Sequence, residues 1–240
     1  MSALLTLDAV SKRFRGLVAV DQVSFAVQRG AIFAVIGPNG AGKTTLFNMI
    51  AGAMAPDDGT IAFAGEPIDG LPADAICRRG IARTFQIVRP FPALSVEDNV
   101  TIGALLRRHD VAAARARART LLQQLDLFDK RDRPASALTL PDRKRLEVAR
   151  ALATEPQLLL LDEVMAGLRP TETDRMVAVL RSLNRDGLTI LLIEHVMHAV
   201  MALASRVLVL DHGVAIAEGA PEAIVRDPAV VQSYLGAEAV

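Results

Sequence analysis

The chain has 240 residues, of which 51% are hydrophobic, and its 27 basic residues balance its 27 acidic residues. This length and composition predict one or two packed domains, because domains usually hold about 100–200 residues. The balanced charge gives no indication of a nucleic-acid partner or of binding to an anionic membrane surface. The single cysteine, Cys77, excludes an internal disulfide and favours a reducing compartment.

The first residues do not resemble a secretory signal, since Asp8, Lys12 and Arg13 appear before any long apolar run. The longest apolar runs, including residues 158–161 and 190–193, are much shorter than the ~18 residues of a membrane-spanning helix. We therefore expect a cytosolic chain that reaches a membrane only through another subunit.

The first third of the chain predicts strands followed by a loop and a helix. A bent or hairpin-like strand region with one covered face is indicated by apolar residues spaced mostly by two or three: Val18, Val20, Val23, Phe25 and Val27. Residues 31–36 are a continuous apolar run, typical of a strand buried in a mainly parallel sheet. Residues 43–51 have helical spacing and stop at Gly52.

The last third contains a second α/β pattern. Apolar runs at 158–161 and 189–193 flank a helical stretch at 171–185, which indicates a βαβ unit and a three-layer α/β core. Between the two patterns, residues 111–127 and 142–154 have helical spacing, so we predict an inserted, mostly helical subdomain. Its alternating arginines wrap around a helix and favour a solvated face over a nucleic-acid patch: Arg115, Arg117 and Arg119.

A phosphate-binding loop is predicted between the first buried strand and the first helix. Gly37-Pro-Asn-Gly-Ala-Gly-Lys-Thr44 matches G-x-x-x-x-G-K-[ST] at every fixed position. Gly40 and Gly42 let the backbone curl so that its N–H groups face one point at the helix N-terminus. Lys43 adds a positive charge for the β- and γ-phosphates, and Thr44 offers a hydroxyl to Mg²⁺.

Three carboxylates and a histidine follow the two other core strands. Asp162 ends one apolar run and is predicted to hold the metal through its water shell, while Glu163 is predicted to be the general base for the attacking water. Glu194 and His195 follow residues 189–193, where side chains converge on the ligand crevice of an α/β sheet. His195 is thereby predicted to reach the γ-phosphate.

These motifs, in this order, resemble the ATP-binding subunit of ABC transporters, and the likeness covers nearly the whole chain. Thr84-Phe-Gln86 is similar to the family's Q-loop, which implies that Gln86 meets Mg²⁺ and the attacking water and lies next to the permease. Phe14 stands where the family stacks an aromatic ring on adenine, with Val20 lining the same pocket; an ordinary core role for Phe14 is the alternative.

The resemblance implies ATP and Mg²⁺ as cofactors and a defined set of site residues. The implied nucleotide contacts are Phe14, Val20, Gly37, Pro38, Asn39, Gly40, Ala41, Gly42, Lys43, Thr44, Thr45 and, toward a partner's nucleotide, Thr139. The implied metal contacts are Thr44, Gln86 and Asp162, and the implied catalytic residues are Glu163, His195 and Gln86.

The resemblance also implies architecture and partners. The fold would be a P-loop NTPase core with an N-terminal antiparallel β subdomain, built from residues 1–86 and 156–240, and a helical subdomain at 87–155. Partners would be transmembrane permease subunits and a second ATPase subunit, at the cytoplasmic face of the inner membrane. The branched-chain amino acid uptake branch is indicated by five stretches: 37–48, 83–86 with Phe91-Pro92, 145–152, 194–197 and 234–236.

One segment departs from the family pattern. The family signature, close to Leu-Ser-Gly-Gly-Gln, is replaced by Leu138-Thr-Leu-Pro-Asp142. Thr139 keeps a hydroxyl, but Leu140 and Pro141 replace the glycines, and proline has no N–H to donate. Asp142 adds a negative charge that suits a helix start and would repel a phosphate. The altered segment favours a heterodimer with unequal sites, with a homodimer as the alternative.

Other functions compete with import. A non-transport ABC ATPase acting on ribosomes or DNA usually carries two cassettes or long insertions, which this sequence lacks. A regulatory module without turnover would not need Glu163 and His195. Within transport, lipid or lipopolysaccharide export is the closest alternative, because those ATPases share a similar Q-loop and core.

Overall fold

The computed structural model describes residues 3–86 and 90–237. The strands are β1 (Ala3–Phe14), β2 (Leu17–Gln28), β3 (Ile32–Ile36), β4 (Asp58–Phe63), β5 (Glu66–Pro67), β6 (Ile81–Arg83), β7 (Leu158–Asp162), β8 (Thr189–Ile193), β9 (Arg206–Asp211) and β10 (Val214–Gly219). The helices are α1 (Lys43–Ile50), α2 (Ala73–Arg79), α3 (Val96–Ala104), α4 (Val111–Gln124), α5 (Leu140–Ala153), α6 (Pro170–Arg185), α7 (Met197–Leu203), α8 (Pro221–Ile224) and α9 (Pro228–Ala237).

A six-stranded sheet forms the centre of the molecule, in the order β10-β9-β3-β8-β7-β6. Its neighbouring strands are parallel except β10, which runs antiparallel to β9. The buried strands predicted at 31–36, 158–161 and 189–193 are β3, β7 and β8, and the helices predicted after the first two are α1 and α6. The predicted α/β core is therefore confirmed.

Alternate residues of the central strands pack into two separate cores. In β7, Leu159 and Leu161 join the core that contains α4, α5 and α6, while Leu158 and Leu160 face α1 and the antiparallel sheet. Each of the strands β3, β7 and β8 has five residues, and all of them are buried. Burial on both faces explains why these strands appear in the sequence as unbroken apolar runs.

The second sheet is antiparallel, in the order β2-β1-β4-β5, and it distinguishes between the two forms, bent or hairpin-like, predicted for residues 18–27. Residues 18–27 are not a hairpin but part of the single long strand β2, which pairs with β1. The uneven apolar spacing arises from a bulge at Gln22, where φ is 49°. Ala9 of β1 has a similar φ of 47°, so neither strand shows a regular alternation.

The middle of the chain is mainly helical, with α3, α4 and α5 packed together. The arginines of α4 are engaged in ion pairs: Arg115 and Arg119 with Glu97 of α3, and Arg117 with Glu155. These pairs neutralise the basic face. None of the helices within residues 3–86 and 90–237 is long and apolar enough to cross a membrane.

Candidate nucleotide-binding and hydrolysis site

The loop between β3 and α1 requires glycine at particular positions. A Cβ at Gly37 would lie 2.0 Å from the carbonyl oxygen of Leu210, and one at Gly42 would lie 2.2 Å from that of Ala19. Gly42 is the N-cap of α1 with φ of 97°, and no side chain caps the helix there. The first N–H groups of α1 therefore point into the loop as an anion site.

Lys43 is folded back over this loop. Its Nζ donates to the carbonyl oxygens of Gly37 at 2.7 Å and Pro38 at 2.8 Å. Burial lowers the pKa of the Lys43 ammonium, and the negative charges of Glu163 and Asp162 oppose that shift. A buried ammonium held by two carbonyls beside free helix N–H groups is suited to binding phosphate oxygens.

A cavity of about 430 Å³ opens above the loop. It is lined by Phe14, Leu17, Val18, Ala19, Asn39, Gly40, Ala41, Gly42, Lys43, Thr44, Thr45, Gln86, Glu163 and His212. Phe14 is 43% exposed, so it is not an ordinary core residue, and its ring lines the cavity with the Lys12 ammonium 5.9 Å from the ring centroid. Val20 is fully buried and does not line the cavity, which Leu17 and Val18 reach instead.

Asp162 is the residue expected to hold a metal, and its two oxygens are in different situations. Its Oδ2 accepts a hydrogen bond from Arg83 at 2.9 Å, while its Oδ1 is buried without a partner in the described part of the chain. Burial raises the pKa of this carboxyl, and Arg83 opposes the shift. An orphaned buried carboxylate oxygen fits the hard oxygen ligands that Mg²⁺ prefers, and the exposed Thr44 in the cavity offers a hydroxyl of the same kind.

Glu163 lies at the edge of the cavity in contact with two other predicted catalytic residues. Its Oε2 accepts a hydrogen bond from Gln86 Nε2 at 2.7 Å and is 4.0 Å from His195 Nδ1. Its backbone has φ of 49°, in the left-handed region, and its N–H donates to Ile193 of β8 at 3.0 Å. The ends of β6, β7 and β8 thus bring together three residues that are far apart in sequence.

The structure gives contacts at the site to four charged residues to which the sequence analysis assigned no role. Arg83 holds Asp162, Lys144 Nζ donates to the carbonyl oxygen of Glu163 at 2.8 Å, Glu147 accepts from Phe85 N–H at 2.8 Å, and Glu194 accepts from Met165 N–H at 2.8 Å. In the sequence, such residues could have been found as charged side chains on the apolar face of a helix, as at positions 144 and 147 of α5.

Burial is the largest cause of the pKa shifts of Lys144, Glu147 and Glu194. It raises the pKa of Glu147 to about 7 and raises the pKa of Glu194, which is 1% exposed. It lowers the pKa of the Lys144 ammonium, against the opposing charges of Glu194, Glu147 and Glu163. A buried cation among three carboxylates is retained because each group lowers the cost of burying the others.

In the segment 138–142, the Asp142 carboxylate does not have the environment that the sequence predicted. The Asp142 side chain is 3% exposed and turns inward, forming ion pairs with Lys130 and Arg145. Burial raises the pKa of this carboxyl, but the hydrogen bonds it accepts outweigh burial and hold the pKa below its ordinary value. Thr139 Oγ1 also donates to Asp142, at 2.9 Å. The expected phosphate-repelling charge is therefore neutralised inside the chain.

We expect Asp142→Ala to destabilise the fold by about 1–3 kcal/mol, since it removes the buried carboxylate that accepts from Lys130, Thr139 and Arg145 Nη2. Urea unfolding measures this loss. Asp132→Ala is the matched control, because Asp132 is 81% exposed and should change stability by less than about 0.5 kcal/mol. The Asp142 contribution should also disappear as pH falls through its lowered folded-state pKa. Equal stability of the two variants would contradict the structural role.

The fold and this site together define a P-loop ATP-binding protein. The ABC transporter family model matches residues 20–166, and the model for the branched-chain amino acid ATP-binding cassette transporter matches residues 216–240. The chain belongs to the ABC transporter ATP-binding family. Members of this family hydrolyse ATP to drive transport, so the chain is an ATP hydrolase of the ABC type.

Individual relatives resemble the chain over almost its whole length. The high-affinity branched-chain amino acid transport ATP-binding protein LivG of Salmonella typhimurium is 41% identical, covering 97% of this chain and 98% of that protein. The lipopolysaccharide export system ATP-binding protein LptB of Escherichia coli is 36% identical, covering 98% of each. The crystal structure of the ADP conformation of MJ1267, an ABC transporter cassette, has a TM-score of 0.90 at 30% identity, covering 98% of this chain and 100% of that one.

Proposed function

We propose that the chain is the ATP-hydrolysing subunit of an importer for branched-chain amino acids or a related small polar solute. The observation that carries the catalytic part is the cluster at the end of β7, where Gln86 bonds to Glu163 beside a cavity lined by the phosphate loop. In that geometry Glu163 accepts a proton from the attacking water, while Gln86 and His195 orient the water and the γ-phosphate.

Binding is assigned to the loop and the N-terminal sheet. The N–H groups at the start of α1 and the Lys43 ammonium hold the phosphates, and Phe14 stacks on the base. Asp162, Thr44 and Gln86 would hold Mg²⁺, and the ion would supply charge neutralisation for the nucleotide phosphates. Closing the cavity over the nucleotide excludes water other than the one that Glu163 activates.

The solute class rests on the relatives and on the C-terminal segment. The relative LivG is named for branched-chain amino acid transport, and residues 216–240 match a model specific to that branch. The export protein LptB is less similar, at 36% identity, so import is favoured over lipopolysaccharide export. The partners in this proposal are two permease subunits and a second ATPase, with the chain peripheral to the cytoplasmic face of the inner membrane.

The test is reconstitution of the chain with its cognate permeases, second ATPase and binding protein in lipid vesicles. ATP-dependent accumulation of radiolabelled leucine, isoleucine or valine is the expected result. Transport of a different small solute would revise the solute class and leave the ATPase assignment intact. Absence of ATP hydrolysis in an assembled complex would contradict the proposed function itself.

We also propose the boundaries 1–86 and 156–240 for the core and 87–155 for the helical subdomain.

A groove beside the Q-loop is proposed as the permease contact. It is lined by Arg83, Phe85, Phe91, Ile102, Gly103, Glu147, Arg150 and Ala151. Phe85 is 56% exposed and Phe91 43%, so two large apolar rings face solvent next to Gln86. Ile87 and Val88, also expected on this surface, lie outside the described residues.

We expect Phe91→Asp to uncouple transport from hydrolysis or prevent co-purification with the permease. A charge at an apolar anchor costs about 2 kcal/mol or more, which corresponds to ~30-fold weaker association. The Phe91 backbone N–H is held by Asn99 at 2.8 Å, so the loop itself should persist. Val214→Asp is the control, since Val214 is 45% exposed on an edge strand away from the groove. Normal assembly and uptake with Phe91→Asp would exclude this contact.

A further inference from the structure

Helix α5 contacts the backbone on both sides of the Gln86–Glu163 pair. Lys144 donates to the carbonyl oxygen of Glu163 at 2.8 Å, and Glu147 accepts from the N–H of Phe85, next to Gln86, also at 2.8 Å. Lys144 and Glu147 are three positions apart and so project from the same face of the helix. Both are buried, at 4% and 7% exposure.

We propose that Lys144 and Glu147 form a clamp that sets the position of Glu163 relative to Gln86; this inference rests on the proposed function. They are positioning residues, since neither lines the nucleotide cavity. The clamp holds main-chain atoms, and it therefore fixes the backbone positions from which the Gln86 and Glu163 side chains extend. The side chains themselves meet at 2.7 Å.

The conformation of Glu163 explains why a clamp is needed. A non-glycine residue with φ of 49° is held in a sparsely populated region, which costs about 1–3 kcal/mol and persists only when the surroundings determine it. The Glu163 N–H donates to Ile193 at 3.0 Å; among residues 3–86 and 90–237, its carbonyl accepts from the Ala166 N–H at 3.2 Å and from Lys144. Lys144 is thus the charged and shorter of the two contacts that hold the Glu163 carbonyl.

The position of the clamp in α5 gives it a second consequence. Helix α5 begins at Leu140, inside the segment that replaces the family signature and is proposed to face a partner's nucleotide. A shift of α5 toward or away from that partner would move Lys144 and Glu147 together, because they lie on one rigid helix. The clamp therefore links contact at the partner's site to the geometry of this chain's own base.

The test compares Lys144→Met with Lys144→Arg in the assembled transporter. Lys144→Met keeps the apolar stem but removes the terminal donor, so we expect kcat for ATP to fall about 10- to 100-fold while KM changes less than about twofold. Lys144→Arg keeps a donor and should recover most of kcat. Arg181→Met is the matched control, since Arg181 also donates to a carbonyl between elements, Ala202 at 3.0 Å, outside the site.

A double-mutant comparison separates positioning from general support. In the Glu163→Gln background the base is already absent, so adding Lys144→Met should lower the residual turnover less than about twofold. If Lys144→Met prevents folding, Glu147→Gln, which keeps an acceptor for Phe85, is compared with Glu147→Met, which does not. Glu147→Met is then expected to lower kcat, while Glu147→Gln should retain most of it.

The outcomes distinguish this inference from the proposed function. Loss of turnover in Glu163→Gln together with normal kcat in Lys144→Met and Glu147→Met would overturn the clamp and leave the catalytic assignment standing. A full additional loss from Lys144→Met in the Glu163→Gln background would also overturn it. Normal turnover in Glu163→Gln would instead refute the catalytic assignment on which the clamp depends.

Discussion

Glu163→Gln is expected to lower ATP turnover of the assembled transporter about 10²- to 10³-fold while ATP affinity stays within about twofold of the wild type. Glutamine has the size and shape of glutamate, and its amide oxygen can still accept the hydrogen bond from Gln86. The nucleotide site therefore keeps its geometry, but the side chain can no longer take a proton from water. Steady-state hydrolysis and equilibrium binding of a fluorescent ATP analogue measure the two effects.

Lys43→Ala provides the contrast to this result. Removing the ammonium over the phosphate loop should weaken ATP binding at least about tenfold and lower turnover as well, because charge-assisted hydrogen bonds contribute about 1.5–3 kcal/mol each. Glu155→Gln is the control for a glutamate change. Glu155 precedes the N-terminal end of β7, whereas Glu163 follows its C-terminal end. Wild-type turnover in Glu163→Gln would mean that another group is the base.

The parts of the site that could be predicted from the sequence are those encoded by contiguous residues. Gly37 to Thr44 carries its own strand, turn and helix start, so the motif and its conformation are specified together. Asp162 and Glu163 could be placed because parallel strands all end at one edge of the sheet. Gln86 was placed only by the family resemblance, and its hydrogen bond to Glu163 is seen in the structure, where β6 and β7 are neighbours.

The missed features depend on contacts between distant residues. Lys144 and Glu163 are separated by a helix and a strand, and their hydrogen bond appears only when α5 packs against the end of β7. Asp142 was expected to face a partner, but Lys130, twelve positions earlier, turns its carboxylate inward. Strand β1 was not predicted because its bulge at Ala9 interrupts the alternation that identifies strands.

The two composite sites of a transporter containing this chain are expected to differ in rate. The segment 138–142, which the family resemblance places toward the partner's nucleotide, lacks the two glycines of the family signature, and Pro141 has no N–H. Because Asp142 is neutralised within the chain, we expect the slower rate to arise from missing donors and not from repulsion. Arg143 donates to Ser136 at 2.8 Å and Lys144 to Glu163 at 2.8 Å, so each already has an acceptor in this chain.

We therefore predict a heterodimer in which this chain's own phosphate loop, facing an intact partner signature, does most of the hydrolysis. Losing an oxyanion-type donor costs ~10²–10³ in rate, so the partner's loop should turn over at least about tenfold more slowly. Glu163→Gln in this chain and the equivalent change in the partner are compared in separate complexes. Equal losses would contradict the asymmetry, as would a fully active homodimer of this chain.

A second comparison tests the cause of the asymmetry. Replacing Leu140 and Pro141 by glycine restores two backbone positions that can approach the partner's nucleotide, and it adds one N–H donor. In the Glu163→Gln background, where only the partner's loop remains active, this double change should raise the residual ATP turnover at least about fivefold, a fraction of the ~10²–10³ that one donor supplies. Thermal unfolding must show that α5 survives losing the proline at its first turn, where Pro141 stabilises the helix start. A folded variant with unchanged residual turnover would show that the missing donors do not limit the partner's site.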